Sequence, residues 1–211
     1  MPSLKLTALL CSRLCHDLIG PIGALSNGVE ILMDEDEAAM REQATQLLGE
    51  SAEEAARRLR FYRLAFGAAG SMGQTIPLSE ARAAALGIYE KGRISLDWPL
   101  SEGEGGIDKS TIKLLLNVVL VAAASLPRGG TLAVRPGAGR SAFAVAATGA
   151  GARIDPETRT ALSGSIDEAL IDTHNVVACH VAALAEQQGV KLMVETPSEG
   201  VARFVLELGR A

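Results

Sequence analysis

Leu14, Leu18, Ile22, Leu25, Val29 and Leu32 recur at steps of four and three residues. A helix gathers that spacing onto one face, and a strand would scatter it over two. Ala44, Leu48, Ser51, Ala55, Leu59, Tyr62 and Phe66 repeat the pattern, with the acidic run Asp34-Glu35-Asp36-Glu37 between the two stripes. The spacing predicts helices over residues 4–33 and 38–66, joined by a short turn into an antiparallel hairpin. A lone hairpin cannot hide two apolar stripes, so a second copy is expected to pair with it in a dimeric four-helix bundle.

Gly67-Ala68-Ala69-Gly70-Ser71-Met72-Gly73 is a small-residue linker and the clearest boundary in the chain. It divides residues 1–70, the helical hairpin, from residues 71–211, where the pattern is mixed. Helices are expected at 78–90, 109–125, 156–162 and 175–188. Strands are expected at 94–98, 131–135, 141–147, 190–195 and 202–208. The fold class is therefore α+β, a helical hairpin followed by an α/β sandwich with a sheet covered by helices.

A length of 211 residues and a net charge of −5 give room for a core and no electrostatic footprint for nucleic acid or anionic lipid. Three cysteines, Cys11, Cys15 and Cys179, form no secreted-type framework, which suits reduced thiols in a cytoplasm. The apolar stretch ending at Cys11 is too short for a signal sequence, and Arg13 interrupts it. No apolar run reaches the ~18 residues needed to cross a bilayer. A soluble cytoplasmic protein without membrane contact is expected.

At ~100° per residue, the six apolar positions of the first helix fall within about 80°, and His16 lies roughly 165° from their centre. Its imidazole should therefore face water. Ser12, Gly20, Gly23, Asn27 and Glu30 share its side. Gly20 and Gly23 each cost a helix roughly 1 kcal/mol relative to Ala, which suits a surface that something must approach closely. Pro21 removes the amide that would bond the carbonyl of Asp17, so a bend is expected just after His16. Cys11 and Cys15 read as small core residues, and with no fourth ligand nearby no metal site is expected there.

A neutral, exposed imidazole is a good nucleophile, and its phosphoramidate is a labile carrier of a phosphoryl group. Such transfer depends on positioning and charge neutralisation, so the acceptor must sit on a rigid element open to a partner. Asp17 is placed to fix the tautomer and orient the ring, leaving the distal nitrogen free. Arg13, one turn before Asp17, is placed to pair with it or with a phosphate.

His16-Asp17-Leu18-Ile19-Gly20-Pro21-Ile22 resembles the phosphoacceptor box of sensor histidine kinases, where His, an acidic residue, Leu and a later Pro-aliphatic pair recur. Residues 10–18 and 24–32 are similar to the start of the alphaproteobacterial histidine phosphotransferases of ChpT type. Ile19 stands where kinases usually carry arginine. Gly20 stands where a Thr or Asn often positions water for phosphatase activity. The resemblance implies a homodimer in a two-component phosphorelay that controls the cell cycle. His16 would take a phosphoryl group from the aspartate of a hybrid kinase's receiver domain and pass it to response regulators, including a cell-cycle transcription factor. Asp17 and Arg13 would assist, and Ser12, Ile19, Gly20, Gly23 and Asn27 would meet the partner. Mg²⁺ would belong to the receiver, with no cofactor in this chain.

Beyond the linker, the order of motifs resembles the GHKL, or Bergerat, ATPase domain of those kinases in degenerate form. Val121 occupies the place of the metal-binding Asn, and valine offers Mg²⁺ no oxygen. Ala147-Thr148-Gly149-Ala150-Gly151 resembles the adenine loop, but Ala147 replaces its Asp. Thr173-His174-Asn175-Val176 lacks a glycine-rich phosphate cradle. ATP binding and autokinase activity are not expected. An ATP-dependent kinase core with unusual contacts, and a non-catalytic dimeric adaptor with an incidental His16, are the alternative readings. His174 and His180 read as structural or solvent-facing. Arg57, Arg58, Arg60 and Arg63 read mostly as a solvated face, with some able to steer an acidic partner.

Overall fold

The computed structural model describes residues 3–34, 36–67, 75–99, 105–137 and 142–207. The two apolar stripes form α1 (Leu4–Asp34) and α2 (Ala38–Phe66), packed antiparallel so that Asp17 meets Tyr62 and Gly28 meets Leu48. The chain stays helical through Pro21, which is buried. The expected boundary between residues 70 and 71 lies outside the described residues.

The face of α1 that meets α2 is not the centre of the apolar stripe. It contains Pro21 and Gly28, which lie about 70° from that centre on the helical wheel. Helices approach most closely where side chains are smallest, and a Cβ on Gly28 would stand 2.8 Å from Leu48 Cγ. The stripe is thereby split: Leu14, Leu18, Leu25 and Leu32 are half-buried, whereas Ile22 and Val29 remain 49% and 47% exposed. A second correction concerns α1 as a whole. It holds an 18-residue window of mean hydropathy 1.2 with few charges, so by length and composition it is apolar enough to cross a membrane. Leucine, isoleucine, valine and cysteine spread along the helix sustain the average without any unbroken apolar run.

After the linker come β1 (Thr75–Pro77), α3 (Leu78–Tyr89), β2 (Ile94–Asp97), β3 (Gly106–Asp108) and α4 (Lys109–Ala124). They are followed by β4 (Gly130–Pro136), β5 (Ala142–Thr148), α5 (Pro156–Leu162), α6 (Val176–Gln188), β6 (Lys191–Ser198) and β7 (Val201–Glu207). Asp108 and Asp155 cap α4 and α5, their carboxylates accepting from the amides of Ser110 at 2.9 Å and Thr158 at 2.8 Å. Gly189, at φ 62°, ends α6 in the left-handed conformation that favours glycine. The short β1 and β3, and a 3₁₀ turn at Glu168–Leu170, were not anticipated, because three residues carry no readable period.

Five strands form one sheet in the order β2-β4-β5-β7-β6, with β2 and β4 parallel and the other neighbours antiparallel. Leu132, Val134, Val145, Phe204 and Leu206 alternate onto its buried face. Against that face lies α4, whose Leu114, Leu115, Leu116, Val118 and Val119 are fully buried. Such burial on several sides explains why α4 is apolar nearly all round. Phe61, Leu64 and Ala65 of α2 join the same core, so the foot of the hairpin is built into the sheet domain.

Candidate functional site

His16 stands on α1 with its side chain 83% exposed, and its Nδ1 lies 3.3 Å from Asp17 Oδ1. Asp17, turned ~100° round the helix, faces α2 and is mostly covered. Its Oδ2 accepts from Arg13 Nε at 3.2 Å and from the Tyr62 hydroxyl at 2.8 Å. Burial pushes the Asp17 carboxyl up, but the Tyr62 bond, the Arg13 charge and the contacts with His16 and Arg13 outweigh it. The net position is below the ordinary 3.8, so Asp17 is ionised at neutral pH. An ionised carboxylate only accepts, so the proton between the two groups sits on Nδ1 of the neutral ring. The lone pair then lies on Nε2, free on the solvent side.

Tyr62 is the residue that sequence reasoning missed in this role. It lies 45 positions after Asp17, and the apolar period counts it as one more member of the α2 stripe. The available signal was chemical, since a half-buried tyrosine hydroxyl needs a polar partner. Burial, followed by the bond to Asp17, holds the Tyr62 hydroxyl well above its ordinary range, which keeps it a donor. Arg13 pairs with Asp17 as expected and also donates to the Thr173 carbonyl at 3.3 Å, tying α1 to the segment before α6.

Ser12, Ile19, Gly20, Gly23 and Asn27 are all exposed, Ile19 to 68%. A Cβ on Gly20 or Gly23 would meet nothing within 4 Å, so internal packing requires neither glycine. Beside His16 a groove runs between the helices, with Gly20 and Ala24 on one wall and Leu47, Glu50 and Glu54 on the other. Arg57 and Lys91, the latter from the turn after α3, stand in the same groove. This second wall was not legible in the sequence beyond the expectation that some α2 arginines steer an acidic partner.

Several expectations change. Arg57 and Arg58 are not a loose solvated face: they pair with Glu53 and Glu54 respectively, and the Arg57 side chain is only 17% exposed, whereas Arg60 and Arg63 are solvent-exposed as expected. Cys11 and Cys15 are exposed and outside the core, because α1 turns its small-residue face toward α2. His180 is half-buried, its ring stacked on Phe66 at 5.6 Å. Burial, then the Lys113 charge, pushes its imidazole down to about 4. Among the described residues, no three His, Cys, Asp or Glu side chains are grouped so as to hold a metal ion.

The nucleotide-like motifs of the sheet domain have packing roles. Asn117 is fully buried, and its Nδ2 donates to the carbonyls of Ala65 at 2.7 Å and Lys113 at 2.9 Å, which fastens α4 to the end of α2. Gly130 and Gly149 let two turns touch backbone to backbone: Cβ atoms there would lie 2.3 Å from the Thr148 carbonyl oxygen and 2.5 Å from that of Gly129. Ala147 is fully buried and Val121 nearly so.

Three comparisons bear on this arrangement. A family model of the histidine phosphotransferase C-terminal domain matches residues 78–200. Protein phosphotransferase ChpT of Brucella abortus (strain 2308) is 37% identical over 206 residues, covering 95% of either chain. The solved structure of a bacterial phosphotransferase superposes with a TM-score of 0.81 at 36% identity, covering 98% of both chains.

Proposed function

The chain belongs to the histidine phosphotransferase family, and from that membership we propose that it is a phosphoryl carrier in a two-component phosphorelay, with His16 as the acceptor. The observation that carries the assignment is an exposed imidazole whose Nδ1 is held by Asp17, with Nε2 open to a partner. Nε2 attacks the phosphorus of an aspartyl phosphate on a hybrid kinase's receiver domain. The N–P bond forms as the P–O bond breaks, and the receiver aspartate leaves as its carboxylate. The ring becomes cationic while it carries the phosphoryl group, and ionised Asp17 stabilises that charge. The reverse step delivers the group to the aspartate of a response regulator, a cell-cycle transcription factor among them by family likeness. Mg²⁺ in the receiver neutralises the transferring group. Gly20, Gly23, Asn27, Ser12 and Ile19 form the landing surface, with Leu47, Glu50 and Glu54 across the groove.

The same reading takes residues 1–70 as a dimerising phosphotransfer hairpin and residues 71–211 as a GHKL-derived domain that holds no ATP. Exposed Ile22, Val29 and Met33 on α1 support burial against a second copy. Val121 and Ala147 offer neither a metal ligand nor an adenine acceptor. The chain would then work in the cytoplasm, alongside its receivers.

The test is transfer from a phosphorylated receiver domain, followed by mapping of the acid-labile phosphate. Label on His16 is expected, and its persistence in His16→Ala would overturn the assignment. Calorimetry with Mg²⁺ and ATP decides against the kinase alternative if no binding is seen. Micromolar binding with self-labelling at His16 would reinstate it.

A further inference from the structure

A cavity of 340 Å³ lies between the hairpin and the α4–α6 layer, directly behind Asp17. Leu14, Phe66, Leu120 and Val121 give it an apolar wall, and small Ala124 and Ala178 leave it open space. Arg13, Arg58, Tyr62 and Tyr89 converge on its other side. Arg13 is paired with Asp17 and Arg58 with Glu54, so the polar wall carries little net charge but is rich in N–H and O–H donors. The Tyr89 hydroxyl, at the end of α3, is buried and has no hydrogen-bond partner among the described residues. Native folds rarely leave a buried hydroxyl unpaired, so this one needs an explanation, and a bound acceptor supplies one. An apolar cavity with a few convergent polar groups, at the lower end of ligand-pocket sizes, suits a small molecule.

We infer that this cavity binds a small organic anion with an apolar one- or two-ring body, its carboxylate or phosphate head accepting from Tyr89 and Arg13. The body lies on Leu120, Val121 and Phe66, and the head occupies the space between the two tyrosines. A cation has no lone pair to offer these donors, and a neutral hydroxyl accepts from Tyr89 more weakly than a carboxylate does. Arg13 also holds Asp17, which holds His16, so occupancy is linked to the orientation of the imidazole. Binding requires no receiver and no phosphate on His16, so it stands or falls separately from the phosphorelay reading.

The test is calorimetric titration of the whole chain with 2-naphthoate and with its neutral counterpart 2-naphthylmethanol. Saturable one-to-one binding of naphthoate is expected, about tenfold tighter than that of the alcohol. Ala124 lies exposed at the cavity mouth, so Ala124→Trp should block the site while circular dichroism and the melting temperature stay as in the parent. Tyr89→Phe should weaken naphthoate several-fold without lowering the melting temperature, because the hydroxyl it removes is unpaired in the free protein. Failure of naphthoate to saturate at millimolar concentration overturns the proposal. Full affinity retained in either variant, or equal affinity for acid and alcohol, also overturns it.

Discussion

Asp17 accepts hydrogen bonds from two other side chains while it lies against its neighbour His16, which makes the carboxylate, more than the imidazole, the fixed point of the site. Tyr62→Phe removes the shortest of those bonds. A hydrogen bond to a charged group contributes about 2 kcal/mol, so urea denaturation should show a loss of that order. Phosphoryl transfer should slow in this variant without vanishing, and a loss of transfer as complete as in His16→Ala would contradict a positioning role. Because Asp17 sits below its unfolded value of 3.8, its stabilising contribution is complete above that pH. It is lost as pH falls through the lower folded value. The Arg13–Asp17 pair was readable from a spacing of four residues. Tyr62 was not, because only the docking of two helices brings it there.

Within α1, two kinds of glycine have opposite consequences. Gly23→Ala places a methyl in open space and should raise helix stability by about 1 kcal/mol. The same methyl lies on the proposed landing surface, so transfer should slow even as the melting temperature rises. Gly28→Ala drives a Cβ to 2.8 Å from Leu48, and overpacking of about 1–3 kcal/mol outweighs the propensity gain. Its melting temperature should fall. Where α6 meets α2, His180 stacks on Phe66 with neither ring nitrogen partnered among the described residues. Its folded value of about 4 lies below the unfolded 6.5, so the unfolded chain binds more protons between those limits. Stability should therefore rise with pH across that window, by on the order of 3 kcal/mol. His180→Leu should flatten that slope in pH-dependent denaturation, and an unchanged slope would assign it to other groups.

For the molecule as a whole, the hairpin is rooted in the sheet domain through Phe61, Leu64 and Ala65 but leaves Ile22 and Val29 uncovered farther along α1. If a second copy covers that side, Val29→Asp should shift sedimentation velocity from dimer to monomer while the sheet domain keeps its circular dichroism. A parent chain that sediments as a monomer would remove the premise. The periodicity of apolar residues sufficed for both long helices, for most of the sheet and for an outward-facing His16, since a repeat of 3.6 or 2 residues is a local property of the chain. Docking set the rest. Which flank of the apolar stripe packs was decided by Gly28 and Pro21, and Cys11 and Cys15 came to the surface with that choice. The cavity behind Asp17 and the reach of Arg13 to Thr173 exist only because α6 folds back onto α1. Contacts across such distances depend on shape fitting between elements, and spacing along the chain carries no record of it.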